Sequence, residues 1–178
     1  MLLGGIHLSN TQVDTAKQIF LQARRFRNAG NLISQALSET NDVDMHIGPI
    51  IVNKAFATEL YLKCIYYIEK GRAPKKGGHD LGKLFRQLSK ESQDTISGFF
   101  EALNNMDPLH LELKKHVPEL DESLEKILDA ASHAFVSWRY NYEYKPTSFQ
   151  SSSSVMTAIE ICIFQYRPEW NDTPQLQT

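Results

Sequence analysis

The sequence lacks the features of several large classes of protein. It has only two cysteines, Cys64 and Cys162, which are too few for a disulfide scaffold, and both fall on apolar faces of predicted helices. We therefore expect free, buried thiols in a reducing compartment. No stretch is long and apolar enough to span a bilayer, and residues 1–9 lack the basic and apolar regions of a signal peptide. These absences predict a cytoplasmic protein with no membrane partner.

The motifs of common catalytic and cofactor sites are also missing. There is no GxSxG motif, no zinc-like Cys/His spacing, and no glycine-rich phosphate loop between a predicted strand and a helix. The histidines are scattered: His110 and His116 do not share a helix face, and His46 and His133 have no ligand residues near them. We predict neither a metal nor a cofactor.

Period-2 alternation, the pattern of a half-buried strand, is not sustained anywhere, so we expect no sheet. The chain has 178 residues, 42% of them hydrophobic, and a net charge of −2 that neither demands nor excludes an anionic partner. We predict a flexible arm over residues 1–9, one helical domain over 10–167 and a tail over 168–178.

The stretch 49–70 predicts the central helix. It begins at Pro49, which suits a first helical turn, and it is punctuated by Gly48 before and Gly71 after. Its apolar residues cover most of its circumference, which indicates packing by several neighbours. The remaining narrow stripe is polar and comprises Glu59, Lys63, Tyr66 and Lys70.

Helical spacing predicts further helices before and after this one. Residues 10–37, with Thr11 as a candidate N-cap, form one long helix or two short ones, and 39–48 is a loop. Short helices follow Asp80 and cover 96–103, separated by a break at 89–92, whereas 109–117 reads as a loop with a turn of helix. Strong helical patterns cover 118–143 and 154–167. The prediction is an all-α bundle of about five to six helices.

Two basic clusters stand out. Arg24, Arg25 and Arg27 lie on the first helix, where we interpret them as a solvated face. The segment 72–90 has six basic residues against one acid. It suits phosphates or an acidic partner, or else it is a solvated loop, which we favour.

The most unusual stretch is WRYNYEY, at 138–144. In one interpretation Arg139, Tyr140, Tyr142 and Glu143 bind an anion or stack a base. In the other, which we favour, Trp138 and Tyr142 are core and Arg139 pairs with Glu143 one turn later. A mixed outcome pairs Arg139 with Glu59 of the polar stripe.

Two segments carry a resemblance to a known family. AFATELYLKCIYYIEKG followed by GHDLGKLF resembles the second helix and following loop of HEPN-domain proteins, through Glu59, Leu60, Leu62 and Lys63 and then 78–81 and Leu84. FVSWRYNYE, at 135–143, resembles the late-helix motif of a bacterial HEPN-like subgroup.

The resemblance implies an up-and-down bundle, usually a dimer, associated with nucleic acids, nucleotides, bacterial defence or toxin–antitoxin systems. Catalytic members of the family are metal-independent ribonucleases with an Arg and a nearby downstream His on the late helix. Arg139 matches that Arg, but no His follows it. The resemblance therefore implies a non-catalytic binding module. Its ligand, a nucleotide, RNA or a protein, would contact Arg139, Tyr140, Tyr142, Glu143, Glu59 and Lys63.

Two alternatives remain open. The first is a ribonuclease with an unorthodox pair, either Arg72 with His79 or Arg139 with Tyr144. We favour a structural place for His79 instead, in the GHD turn that starts the next helix. The second alternative is a purely structural or protein-interaction bundle in which the motif residues are core.

Overall fold

The computed structural model describes residues 7–75, 79–116, 123–139 and 153–171. Within these ranges the chain is helical and contains no strand, so the all-α prediction is confirmed. Seven α-helices are described, somewhat more than the five to six predicted. They are α1 (Asn10–Thr40), α2 (Val43–Lys70), α3 (Leu81–Arg86), α4 (Lys90–Met106), α5 (Pro108–His116), α6 (Leu124–Arg139) and α7 (Ser153–Tyr166), followed by a 3₁₀ turn at Pro168–Trp170.

The first helix is a single element that passes through Gly30 without a break. Its N-cap is Ser9 rather than Thr11: the Ser9 hydroxyl accepts from the Gln12 amide, and the Gln12 side chain accepts from the Ser9 amide. This reciprocal pair satisfies two backbone donors at the start of the helix, which a cap at Thr11, two residues later, would leave without partners. At the other end Asn41 takes the left-handed conformation, with φ 56°.

The predicted loop at 39–48 is wrong, because α1 and α2 are joined by only two residues, Asn41 and Asp42. The Asp42 carboxylate caps α2 by accepting from the Met45 amide at 3.1 Å. Helix α2 therefore begins six residues before Pro49, which lies inside the helix rather than in its first turn. The turn formers of this stretch supply caps for a tight helical hairpin.

The central position of α2 is confirmed. It contacts α1, α3, α6 and α7, and it ends at Lys70 with Gly71 in the left-handed conformation, φ 66°. The cysteines are free and buried, as predicted. None of the described helices is long and apolar enough to cross a membrane.

The connections around α3 to α5 are shorter than predicted. Asp80 caps α3 as expected, but Ser89 is already the N-cap of α4, accepting from the Ser92 amide at 3.2 Å. Residues predicted as a loop after 108 form α5, where Pro108 takes the first helical position and the Leu111 amide bonds to the Asp107 carbonyl at 3.0 Å.

The core contains residues from both ends of the described chain. Trp170 is 1% exposed and stacks on Phe20 of α1, with ring centroids 5.5 Å apart. Phe164 of α7 meets the same Phe20 ring edge-on at 5.8 Å. The α1–α7 contact is therefore partly aromatic, and Trp170, which adds to it, lies within the segment 168–178 that the sequence marks as a tail.

Candidate functional site

The candidate site is centred on Glu59 of α2, which is 1% exposed. Its Oε1 lies 2.5 Å from Nζ of Lys63, one helical turn later, and its Oε2 lies 2.7 Å from Nδ1 of His79. The polar stripe predicted on α2 includes this pair, and Glu59 is buried within it. Tyr66, a third member, is buried as well. The turn that carries His79 approaches this face of α2 and takes Glu59 out of solvent.

His79 is held in place by the anchoring of α3. The Asp80 carboxylate accepts from the Lys83 amide at 2.8 Å, and the Leu81 amide donates to the Ser132 hydroxyl of α6 at 2.7 Å. Leu81 and its neighbours on α3 are buried, so the turn just before them cannot shift freely. The interpretation of His79 as part of the turn that starts the next helix is therefore confirmed, and the turn also delivers its imidazole to Glu59.

A buried carboxylate needs compensation, because removing a charge from water costs several kcal/mol. Glu59 receives it from a full cation, Lys63, and from an imidazole donor, His79. The His79 side chain is 55% exposed, so the site is an edge of the molecule with a buried acid beneath it. With Nδ1–H donating to Glu59, the second ring nitrogen, Nε2, donates a hydrogen bond when the imidazole is protonated and accepts one when it is neutral.

The basic segment 72–90 lies next to this edge in the sequence. Its described basic residues, Arg72, Lys75, Lys83, Arg86 and Lys90, are all exposed. Two of them have acidic partners: Arg86 pairs with Asp129 of α6 at 3.4 Å, and Lys90 pairs with Asp94 at 2.6 Å. Lys76 lies outside the described residues.

The late-helix motif cannot be placed to the same extent. Arg139 is the last residue of α6, but its side chain lies outside the part of the chain that the structure describes. Tyr140, Tyr142, Glu143 and Tyr144 lie entirely outside it. The grouping of Arg139 with Glu59 and Lys63 therefore stays a prediction.

Another charged cluster was missed by the sequence analysis. The predicted solvated face of α1 is wrong for Arg24 and Arg27, which turn inward to Glu160 of α7. Arg25 is exposed, as predicted. The signal was present in the spacing, because Arg24 and Arg27 fall on the same helical face as the core residue Phe20.

No protein-family model matches this chain, and no curated protein or solved structure is significantly similar to it.

Proposed function

We propose that this chain is a non-catalytic, HEPN-like helical binding module. In this proposal it recognises an anionic ligand, RNA or a nucleotide, and the recognition edge combines Lys63 and His79 with the neighbouring basic segment. Glu59 is the buried counter-charge that fixes the two donors. A bacterial defence or toxin–antitoxin role and a cytoplasmic location follow from the family resemblance and belong to the same proposal.

The observation that carries the proposal is the double contact to Glu59. The buried Glu59 carboxylate lies 2.5 Å from Nζ of Lys63 and 2.7 Å from Nδ1 of His79, and the His79 side chain is 55% exposed. Fixed donors lose little conformational entropy when a ligand binds, which is the physical basis of preorganised recognition.

The ligand class follows from charge. Arg72, Lys75 and Lys83 are exposed and lie on either side of His79 in the sequence, with Asp80 as the acid among them. Surplus positive charge at one edge attracts phosphate oxygens over the range of a Debye length. The resemblance adds Arg139, Tyr140, Tyr142 and Glu143 to the same edge, where an Arg fork and aromatic rings would contact phosphate and base.

A binding assay tests the proposal. Fluorescence anisotropy of a labelled single-stranded RNA, with a nucleotide as competitor, is measured for wild type, Lys63→Ala, His79→Ala and Arg139→Ala. Loss of one charge-assisted contact weakens binding by about 1.5 kcal/mol, or roughly tenfold. Lys114→Ala, at an exposed lysine of α5, is the matched control and should bind like wild type. If all three site variants match wild type, the motif residues are structural, and the interaction-bundle alternative stands.

A second candidate function is favoured by one specific contact. A histidine whose Nδ1 is held by a buried carboxylate is the arrangement used by acid–base histidines, and His79 has it through Glu59. The alternative is a metal-independent ribonuclease using Arg72 and His79. We expect no cleavage of labelled RNA with EDTA present. Cleavage by wild type that is lost in His79→Ala would identify Arg72 and His79 as the catalytic pair. Cleavage that is lost only in Arg139→Ala would instead favour Arg139 with Tyr144 as the catalytic pair.

The proposed module is a homodimer. Among the described residues, several large apolar side chains are exposed, including Val43 at 55% and Met45 at 68%, both in the first turn of α2. Exposed apolar surface marks interfaces, and a two-fold dimer is the commonest assembly. Sedimentation velocity at tens of micromolar should give twice 20.3 kDa for wild type and a larger monomer fraction for Met45→Glu. If wild type sediments only as the monomer, the proposed dimer is wrong.

A further inference from the structure

Three helices, α1, α2 and α7, meet at the carboxylate of Glu160. Arg24 Nε lies 3.4 Å from its Oε1, and Arg27 Nη1 lies 2.6 Å from its Oε2. The Tyr61 hydroxyl donates to Oε1 at 3.3 Å, while Arg27 Nη2 donates to the hydroxyl of Thr157 at 2.9 Å. The Glu160 side chain is 14% exposed. Two guanidinium groups are therefore held in fixed positions by one largely buried acid.

The elements that build this junction carry more positive than negative charge. Helix α1 has no Asp or Glu between residues 15 and 38 but carries Arg24, Arg25 and Arg27 there. On α2, Lys54 is the only charged residue between 45 and 58, with His taken as neutral. Glu160 is the one charged residue of helix α7. A single carboxylate thus faces two arginines, with a lysine nearby.

Lys54 has no acidic partner among the described residues. Its Cγ would lie 3.0 Å from a Cβ built on Gly30, so its stem rests on the bare backbone of α1, one turn beyond Arg27. Among the residues that the structure describes, no carboxylate lies within ion-pair distance of its ammonium group. Burial, and then the nearby Arg27 guanidinium, lower the pKa of Lys54. A half-buried ammonium group beside a second cation is stabilised by an anion that binds next to it.

We propose that Arg27 and Lys54, with the Thr157 hydroxyl, form a binding site for a small phosphate-bearing anion. Arg has five N–H donors in a planar fork, and the contacts to Glu160 and Thr157 occupy only two of those of Arg27. Lys54 adds a point charge, and Thr157 can donate its own hydroxyl proton. A small anion fits better than a nucleic-acid backbone, because Arg27 and Thr157 lie where α1 meets α7 and all three donors are partly buried.

This site is separate from the edge at Glu59. At about 100° per residue, Lys54 and Tyr61 share one side of α2, whereas Glu59 and Lys63 lie roughly 140–180° away from Lys54. The two sites also use different neighbouring elements: the α1–α7 junction at Arg27, and the turn before α3 at Glu59. The inference therefore goes beyond the proposed function and does not depend on it.

Calorimetric titration of the full chain tests the inference with three probes: inorganic phosphate, adenosine 5′-monophosphate and adenosine. Wild type should bind both phosphates and not adenosine. Lys54→Gln, which removes one charged donor, should weaken phosphate binding roughly tenfold. Lys54→Arg keeps the charge and should stay within about threefold of wild type. Arg25→Gln is the matched control, because Arg25 is exposed on the same helix and bonds only Gln22 among the described residues.

Each outcome decides the inference. Equal affinity of the two phosphates would identify free phosphate as sufficient, and tighter monophosphate binding would identify a phosphate ester; both support the site. It is overturned if neither phosphate binds saturably, if adenosine binds as tightly, if Lys54→Gln matches wild type, or if Arg25→Gln loses as much. Phosphate binding lost in Lys63→Ala or His79→Ala but kept in Lys54→Gln would also overturn it, and would place the anion at the proposed edge instead.

Discussion

Three glutamates inside the helical assembly each join a different set of helices. Glu59 joins α2 to the turn before α3, Glu160 joins α7 to α1 and α2, and Glu69 joins α2 to α4 and α7. Glu69 accepts from the Ser89 amide and hydroxyl, from the Ser92 hydroxyl and from the Tyr166 hydroxyl. Such saturation with donors is what makes a buried carboxylate tolerable. These acids therefore link helices at points where apolar contact alone would not set their registry.

The first prediction concerns Tyr166, whose hydroxyl lies in the Glu69 network. Burial, as the largest cause, raises the pKa of Tyr166 to about 12 from its ordinary value of 10.0. A pKa that is higher in the folded state favours folding below the unfolded value, and this contribution is lost as pH rises through the folded value. The free energy of unfolding should therefore fall between about pH 10 and pH 12.

Urea titrations at several pH values measure this effect. Tyr166→Phe should be less stable than wild type at pH 8, because its hydrogen bond to Glu69 is missing. Since the variant also lacks the titrating group, its free energy of unfolding should decline less steeply with pH than that of wild type. Burial likewise raises the pKa of Cys162 to about 12, so part of the decline persists in the variant. Equal slopes for the two proteins between pH 10 and pH 12 would contradict the assignment to Tyr166.

At the level of single helices, the prediction that Pro49 marks the start of α2 is wrong. Pro49 lies seven residues into the helix, where its missing N–H leaves the Met45 carbonyl without its usual partner. The helix continues because Asp42 caps its start and because Ile50 and Ile51, the two residues after Pro49, are buried. Packing of an apolar face outweighs the local cost of the proline.

The second prediction follows from this position. Pro49→Ala should raise the free energy of unfolding by about 1–2 kcal/mol, because a helical hydrogen bond is gained while some rigidity of the unfolded chain is lost. In a first-turn position the same substitution would be neutral or destabilising, since no bond is gained there. Chemical denaturation of the two proteins distinguishes these cases. Asn53→Ala, on the next turn, removes only a side-chain bond to the Pro49 carbonyl and serves as the control.

The sequence predicted which stretches are helical better than where they begin and end. Periodicity identified α2, α6 and α7 because their apolar faces are long, and Gly71 marked an end because only glycine takes φ 66° at little cost. It misplaced the starts of α1 and α2, where Ser9 and Asp42 compete with other good capping residues nearby. The choice among such residues depends on which apolar face must be buried.

At the scale of the molecule, the candidate site was predictable only in part. Glu59 and Lys63 were found because they lie one turn apart on a single helix, a relation that sequence shows directly. The contact from His79 joins residues twenty positions apart, and that from Arg27 to Glu160 spans 133 positions. Such contacts depend on how the helices pack against one another, and the hydrophobic periodicity of a single segment does not determine that packing.

The arrangement of the whole molecule also extends past the predicted domain limits of 10–167. The Trp170 ring is 1% exposed, stacks on Phe20 and closes the junction of α1 and α7. Leu8, within the predicted arm, is buried as well, at 7%. Residues near both ends of the described chain thus add apolar area to a core that α2 organises.

The third prediction tests this extension of the core. Trp170→Ala should lower the free energy of unfolding by about 3–5 kcal/mol, the usual cost of deleting a fully buried large aromatic ring. Trp170→Phe keeps a ring against Phe20 and should recover more than half of the loss, because stacking and most of the buried area remain. Glu169→Ala, at the exposed neighbour, should change stability by less than about 0.5 kcal/mol. Urea denaturation followed by circular dichroism measures all four proteins without relying on the fluorescence of the substituted tryptophan. A loss below about 1 kcal/mol for Trp170→Ala would show that the ring contributes little to the core and that the helices close without it.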